Sequence, residues 1–492
     1  MYQSQGRYHD AEPLFRQALE IREQELGPND RDVATTLNSL GDLYGSLGRY
    51  EEAEERFQRA LEIGVRLDAK DPSVAASLNS LAKLDTVLGK FDEAEHLYQR
   101  ALAIRQETLG PESPEAAATI HSLSGVYRER GRYAEAEELA NQALAIRLVT
   151  LGPRHRDVAE NFLTLADLKR TMGQYLEAEQ LYGKALEIYE GTLGPNHPDV
   201  AEGLGGLAAL YGALGRYREA RELHERELRI SEEALGSEHR DVAVALANLG
   251  NDCYSMGAYH EAEDYFLRAG AILEAVLGRT HREVAMNLHN RANLYFTEGK
   301  LADAEALHRR AAEILEGTLG SEHPDVAWSL TSLADVLSSR GGYEEAQRLY
   351  RRAVAIAEKA FGPNHPDVAR TVLGLATVLA PLGEEQEAEA LALHGLEIYE
   401  KALGPEHPDV ATALIYLARI KWARQDAQDA ERLLRRALAI RERFLGRNHP
   451  DVASALEELS IVLRGRDDKE ADAVRMRADV IRQSQTRDGR EN

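Results

Sequence analysis

The sequence is short of the features that usually announce a chemistry. Among its 492 residues there is one cysteine, Cys253. One thiol excludes an internal disulfide and a cysteine zinc site. No apolar run reaches the ~20 residues of a membrane span. The start shows no charged-then-apolar leader. A cytoplasmic location is therefore the default expectation. Positive charge is in deficit, with 59 Lys and Arg against 83 Asp and Glu and a net charge of -24. That balance argues against a general nucleic-acid binder, which needs a basic footprint for phosphate. No nucleophile elbow, Walker loop, HExxH or Cys-x-x-Cys pair occurs. The chain is expected not to be an enzyme, and neither a cofactor nor a metal is implied. There is no Pro-rich segment and no low-complexity linker.

What the chain does have is a period. The stretch Leu193-Gly194-Pro195-Asn196-His197-Pro198-Asp199-Val200-Ala201 returns as Leu319 to Ala327, Phe361 to Ala369, Leu403 to Ala411 and Leu445 to Ala453. Its glycine recurs every 42 residues, from Gly110 and Gly152 to Gly404 and Gly446. A fixed period of this size marks a stacked-repeat solenoid, in which each unit buries its apolar face on its neighbours.

Each unit reads as two helices. In the unit beginning at Pro198, helix A runs to about Leu214 and ends at Gly215, and helix B runs from Tyr217 to Leu235 and ends at Gly236. Proline in the first turn costs no hydrogen bond, and Asp199 suits the positive end of the helix dipole. Glycine suits the left-handed residue after a helix end. In the preceding unit, Ala178, Leu181, Tyr182, Ala185, Leu186 and Tyr189 form the apolar stripe of an amphipathic helix B. The histidines His155, His197, His239, His281, His323, His365, His407 and His449 recur once per unit. Residues one unit apart are about two helix widths apart, too far to share a metal, so a helix-start role is expected.

Leu37, Leu40, Gly41, Tyr44, Ala53, Phe57 and Ala60 match the pattern W-x2-L-G-x2-Y…A-x3-F-x2-A, with Leu in the Trp slot. On these residues the chain resembles the tetratricopeptide repeats. Its longer helix B and Leu-Gly-Pro-x-His-Pro-Asp turn are similar to the 42-residue repeats of the kinesin light chains and their bacterial relatives. The resemblance implies an all-α, right-handed superhelical solenoid of antiparallel helix pairs. Residues 1–29 read as a truncated first repeat, mainly helix B. Residues 30–446 read as ten tandem repeats, 447–483 as a degenerate capping repeat, and 484–492 as a disordered tail.

Several positions depart from the pattern. Around Val65 to Pro72 the turn is one residue short and lacks glycine. Glu227 and Gly395 replace the second alanine of helix B, and Leu301, Glu385 and Ala427 replace the aromatic residue that opens it. Arg291 stands where most units have Leu, so it must reach solvent or a carboxylate.

The resemblance also implies that helix A lines a concave groove. The inner positions then include Asn248 and Asn251, Asn290 and Asn293, and Trp328, Ser332 and Asp335. Asn carries donors and an acceptor, so a row of Asn pairs with the main chain of an extended peptide or simply solvates the inner wall. His289 and Trp328 would add ring surface beside them. The implied function is a non-enzymatic protein–protein interaction scaffold that holds a peptide or protein segment in the groove. One rival is the sensor region of a larger bacterial effector, fused to a nucleotide-binding switch or a caspase-like protease. Another is head-to-tail self-association through the truncated first repeat.

Overall fold

The structure, a computed structural model, describes residues 8–464 and 466–488. Among these residues it holds 23 α-helices and no strand. A first helix of the B kind, α1 (Tyr8–Leu26), precedes the pair α2 (Arg31–Ser46) and α3 (Tyr50–Leu67). Even-numbered A helices and odd-numbered B helices then alternate to α22 (Pro450–Leu463) and α23 (Asp468–Asp488). The chain is a helical solenoid. The tail expected over 484–492 overlaps α23 at 484–488, and residues 489–492 lie outside the described part.

The turn residues act as their chemistry requires. At α10 (Pro198–Ala213), His197 Nδ1 accepts the Asp199 N–H at 3.2 Å. It thereby satisfies one of the donors that every helix start leaves open. At the other end, Gly215 takes φ +69° and the Arg216 N–H returns to the Tyr211 carbonyl at 2.9 Å. That closure ends the helix and launches α11 (Tyr217–Leu235). The short turn after α3 has another solution. The Asp68 carboxylate accepts the Lys70 N–H at 2.9 Å, and Asp71 caps α4 (Pro72–Val87).

Small residues set how closely the helices approach. A Cβ added at Gly41 would lie 2.5 Å from the Phe57 ring, and one at Gly374 would lie 2.5 Å from the Tyr350 ring. The aromatic side chain of helix B thus lies flat on the backbone of helix A. Ala53, Ala178 and Ala346, at the matching place on helix B, are fully buried. Consecutive A helices also touch one another, as α2 does α4, and as α16 (Pro324–Ser339) does α18 (Pro366–Leu379). Consecutive B helices make no contact of that extent. The array therefore bends with the A helices inside. On the outside, acidic and basic residues pair one unit apart: Glu190 with Arg226 at 2.6 Å, Glu316 with Arg352 at 2.8 Å and Glu400 with Arg436 at 2.6 Å. Each pair is half exposed and contributes about 0.2–1 kcal/mol.

The bend is tight enough for the solenoid to meet itself. His323 Nδ1 accepts the Asp325 N–H, so its Nε2 carries the proton and donates to the Val87 carbonyl at 2.9 Å, across 236 residues of chain. A Cβ added at Gly48, Gly131, Gly173 or Gly215 would fall 2.7–2.9 Å from the ring of His281, His365, His407 or His449 respectively. The Phe91 and Phe361 rings stack with centroids 5.6 Å apart. One superhelical turn thus sits on the next along a continuous seam. The recurring histidine has two jobs: its Nδ1 caps a helix, and its ring seats on the glycine of the turn below. His281, His323, His365, His407 and His449 are buried, whereas His155 and His197, with no described turn beneath them, have 43% and 38% of the side chain exposed.

Several departures from the repeat now have a location. Tyr8, Tyr50, Phe91 and Tyr133 open B helices under the seam and are buried. Leu301, Glu385 and Ala427 open B helices on the uncovered edge of the second turn, where Gly299, Gly341 and Gly383 have no neighbour within 4 Å of an added Cβ.

Gly131→Ala and Gly341→Ala separate the seam from the turn. Both force alanine into left-handed backbone, at about 1–2 kcal/mol. Only the first drives a methyl into the His365 ring, adding about 1–3 kcal/mol of overpacking. Urea unfolding should show the larger loss for Gly131→Ala, and equal losses would mean the seam is not closed in solution.

Candidate binding surface

The concave wall takes its shape from the spacing of helix A. On α14 (Arg282–Thr297), Met286, Asn290 and Asn293 follow the i, i+4, i+7 stripe and are partly accessible. On α12 (Arg240–Ser255) the same stripe is Val244, Asn248 and Asn251, and on α16 it is Trp328, Ser332 and Asp335. These wall positions carry seven of the eight residues expected to form the site.

Their states differ. Asn251 is exposed and Asn290 half-buried, and no hydrogen bond joins the side-chain amide of either to another described residue. Asn248 instead turns toward Glu227. Asn293 donates from Nδ2 to His289 Nε2 at 2.8 Å. Ser332 donates to the Trp328 carbonyl at 3.3 Å. Asp335 is accessible to solvent but ringed by protein, and it accepts from the Tyr350 hydroxyl. Burial raises its carboxyl, against the Tyr350 hydrogen bond and the Arg370 charge, which pull it down.

His289 differs from the expectation of open ring surface. It is 4% exposed, with its ring centroid 3.5 Å from that of Trp328 and 4.9 Å from that of His308. The reason is angular: His289 lies about 100° around the helix from Asn290, which turns it toward α15 (Leu301–Leu319). It supports Trp328 from behind. The outer face of Trp328 borders a cleft of about 260 Å³ where the two turns meet, shared with Glu129, Phe361 and Arg370.

A buried pair, His224 and Asp252, was not singled out from the sequence. His224 is hydrogen-bonded to Asp252 at 2.6 Å, with Glu227 3.9 Å from its other nitrogen. Glu227 fills the space over Gly205, where an added Cβ would meet its carboxylate at 3.0 Å. Burial pushes the Glu227 carboxyl up to about 7. The signal for this cluster was the bare glycine pair Gly205 and Gly206 beside a carboxylate in an alanine slot. Arg291 lies half-buried near the Tyr295 hydroxyl. Cys253 is buried, and burial pushes its thiol up to about 12, so it is an inert core group. No group of three or more metal-ligating side chains gathers among the described residues, and no described helix is long and apolar enough to cross a membrane.

The buried histidines make the fold sensitive to acid. Burial lowers His289 to about 2, and lowers His308 and His121 each to about 4, from an ordinary 6.5. The seam residues His281, His323, His365, His407 and His449 are lowered for the same reason. Each binds a proton more readily unfolded than folded. Their contribution is complete above pH 6.5 and is lost as pH falls from there toward the folded values. Urea unfolding should therefore give lower stability at pH 5 than at pH 7.5. His308→Leu should narrow that gap by roughly 1–2 kcal/mol, and an unchanged gap would contradict a neutral buried ring.

Comparison with known sequences gives the family. The tetratricopeptide repeat profile matches residues 1–64, 73–148, 157–233, 199–275, 283–359, 333–401, 367–443 and 409–476. No curated protein sequence matches the chain. Among solved structures, the nearly identical TPR-like repeats of a kinesin light chain from Podosopora anserina are 29% identical, over 42% of this chain and 97% of that one, with a TM-score of 0.35. BtubC (BKLC) from P. vanneervenii is 26% identical, over 48% of this chain and 92% of that one, with a TM-score of 0.37. The helix pairs, their turns and the profile matched along nearly the whole chain agree: it belongs to the tetratricopeptide repeat family.

Proposed function

We propose that the chain is a non-enzymatic scaffold that holds a peptide or protein segment of a partner against the concave wall of its A helices. Tetratricopeptide repeats are generally protein-interaction scaffolds. The observation that supports the wall as the contact surface is the pair Asn251 and Asn290, whose accessible amides engage no other described residue. An amide offers both a donor and an acceptor, the complement of an extended main chain. Trp328 and Asp335 stand one unit further along the same wall. Trp328 offers an apolar face and Asp335 a carboxylate, so main-chain recognition would be joined by side-chain selection. Contact energy in such a surface concentrates in a few well-packed side chains, and Trp328 is the best anchor among them.

The reading is tested by affinity capture from the native cell lysate, comparing wild type with Asn251→Ala, Asn290→Ala, Asn293→Ala combined. Circular dichroism must first show equal folding. Loss of captured partners only in the triple variant is expected. Identical capture by both would place the contact surface elsewhere.

A further inference from the structure

The seam bears on how a partner reaches the concave wall, an inference that rests on the wall being the binding surface. Seam contacts run from Gly48 through Gly89, Gly131 and Gly173 to Gly215, so the first turn is roofed by the second over most of its circuit. The 236-residue offset amounts to between five and six units per turn. Consecutive A helices touch on the inside, so a unit there spans one helix width, about 10 Å, and not the two expected from the sequence, and their axes lie on a circle of about 9 Å radius. Subtracting the half-width of a helix with its side chains, about 5–6 Å, leaves a bore about 6–8 Å across.

Two observations agree with a bore this narrow. One lining position is small or polar in most units, as in Ser39, Ser80, Ser122, Thr164, Asn290 and Ser332, with Tyr416 the bulky exception. Groups two units apart also feel one another: Tyr416 on one A helix responds to the charge of Asp335 on the wall. A bore of that size passes an extended chain of small residues along the axis. It excludes a helix, which is about 10–12 Å wide.

We propose that the turn-on-turn seam is a gate: while it is shut the concave wall is reached only along the axis by a slender chain, and a helical or folded segment reaches it only when the two turns part. The seam is suited to parting. It is held by stacked rings, by glycine–histidine contacts and by the His323 to Val87 hydrogen bond. No covalent link crosses it, and Cys253 is the sole cysteine.

The test measures access and needs no partner, so it can fail while the scaffold reading stands, and the reverse. Ser332→Cys, in a Cys253→Ala background, places one thiol on the wall. Phe91→Cys with Phe361→Cys, joined as a disulfide and verified by mass spectrometry, locks the seam. The wall thiol is then labelled with N-ethylmaleimide and, separately, with a maleimide carried on a folded helical miniprotein. N-ethylmaleimide should react within about twofold of the same rate in locked and unlocked protein. The helical reagent should react at least tenfold more slowly when the seam is locked. Equal rates for the helical reagent in both proteins would overturn the gate. Its failure to react with either would mean that the seam does not part, which overturns it equally.

Discussion

The contact between a histidine ring on one turn and a helix-ending glycine on the turn below governs most of what is distinctive here. It needs both partners to be unusual. The glycine must take positive φ and leave open the space that a Cβ would fill. The histidine must be neutral, accepting at Nδ1 from its own helix, which leaves Nε2–H to face the other turn. A nearest-neighbour solenoid has only local contacts, and its stability is close to a sum over units and their interfaces. The seam adds contacts more than 200 residues apart and makes the two turns one body.

That closure changes the meaning of the concave wall. An open superhelix presents its inner face to anything of the right shape. A wound one presents a bore, and the width of that bore depends on the number of units per turn. The wall residues fit such a place. They are small or amide-bearing at most positions, and their charges balance locally, as in Arg128 with Asp167 at 3.8 Å and Arg419 with Glu458 at 2.7 Å. The acidic surplus of the chain lies mostly on the outer B helices.

The fold was almost wholly legible in the sequence, because it is written locally. Glycine and proline mark the turns, the 3.6-residue stripe marks the buried faces, and the 42-residue period repeats both. The helix pair at Pro198 to Leu235 has the expected limits within a residue or two. The wall was legible by the same periodicity, down to Asn251, Asn290 and Trp328. His289 was the exception: its one-step offset around α14 turns it inward against Trp328. The seam was not legible, because it depends on a small rotation added at every unit and summed over five or more of them. Its traces were present as apparent irregularities. The helix-opening aromatics persist at Tyr50, Phe91 and Tyr133 under the seam, whereas on the uncovered edge they are kept at Tyr259 and Tyr343 and give way at Leu301, Glu385 and Ala427.

The bore and its access both depend on the closed seam, and a distance measurement reaches it directly. Nitroxide labels at Glu93→Cys and Glu358→Cys, both exposed and close in sequence to the stacked Phe91 and Phe361, would be read by double electron–electron resonance in a Cys253→Ala background. A single short, narrow distance distribution is predicted at neutral pH. A long or broad distribution would show two turns that stand apart in solution, and the account of the concave wall as a closed bore would be wrong.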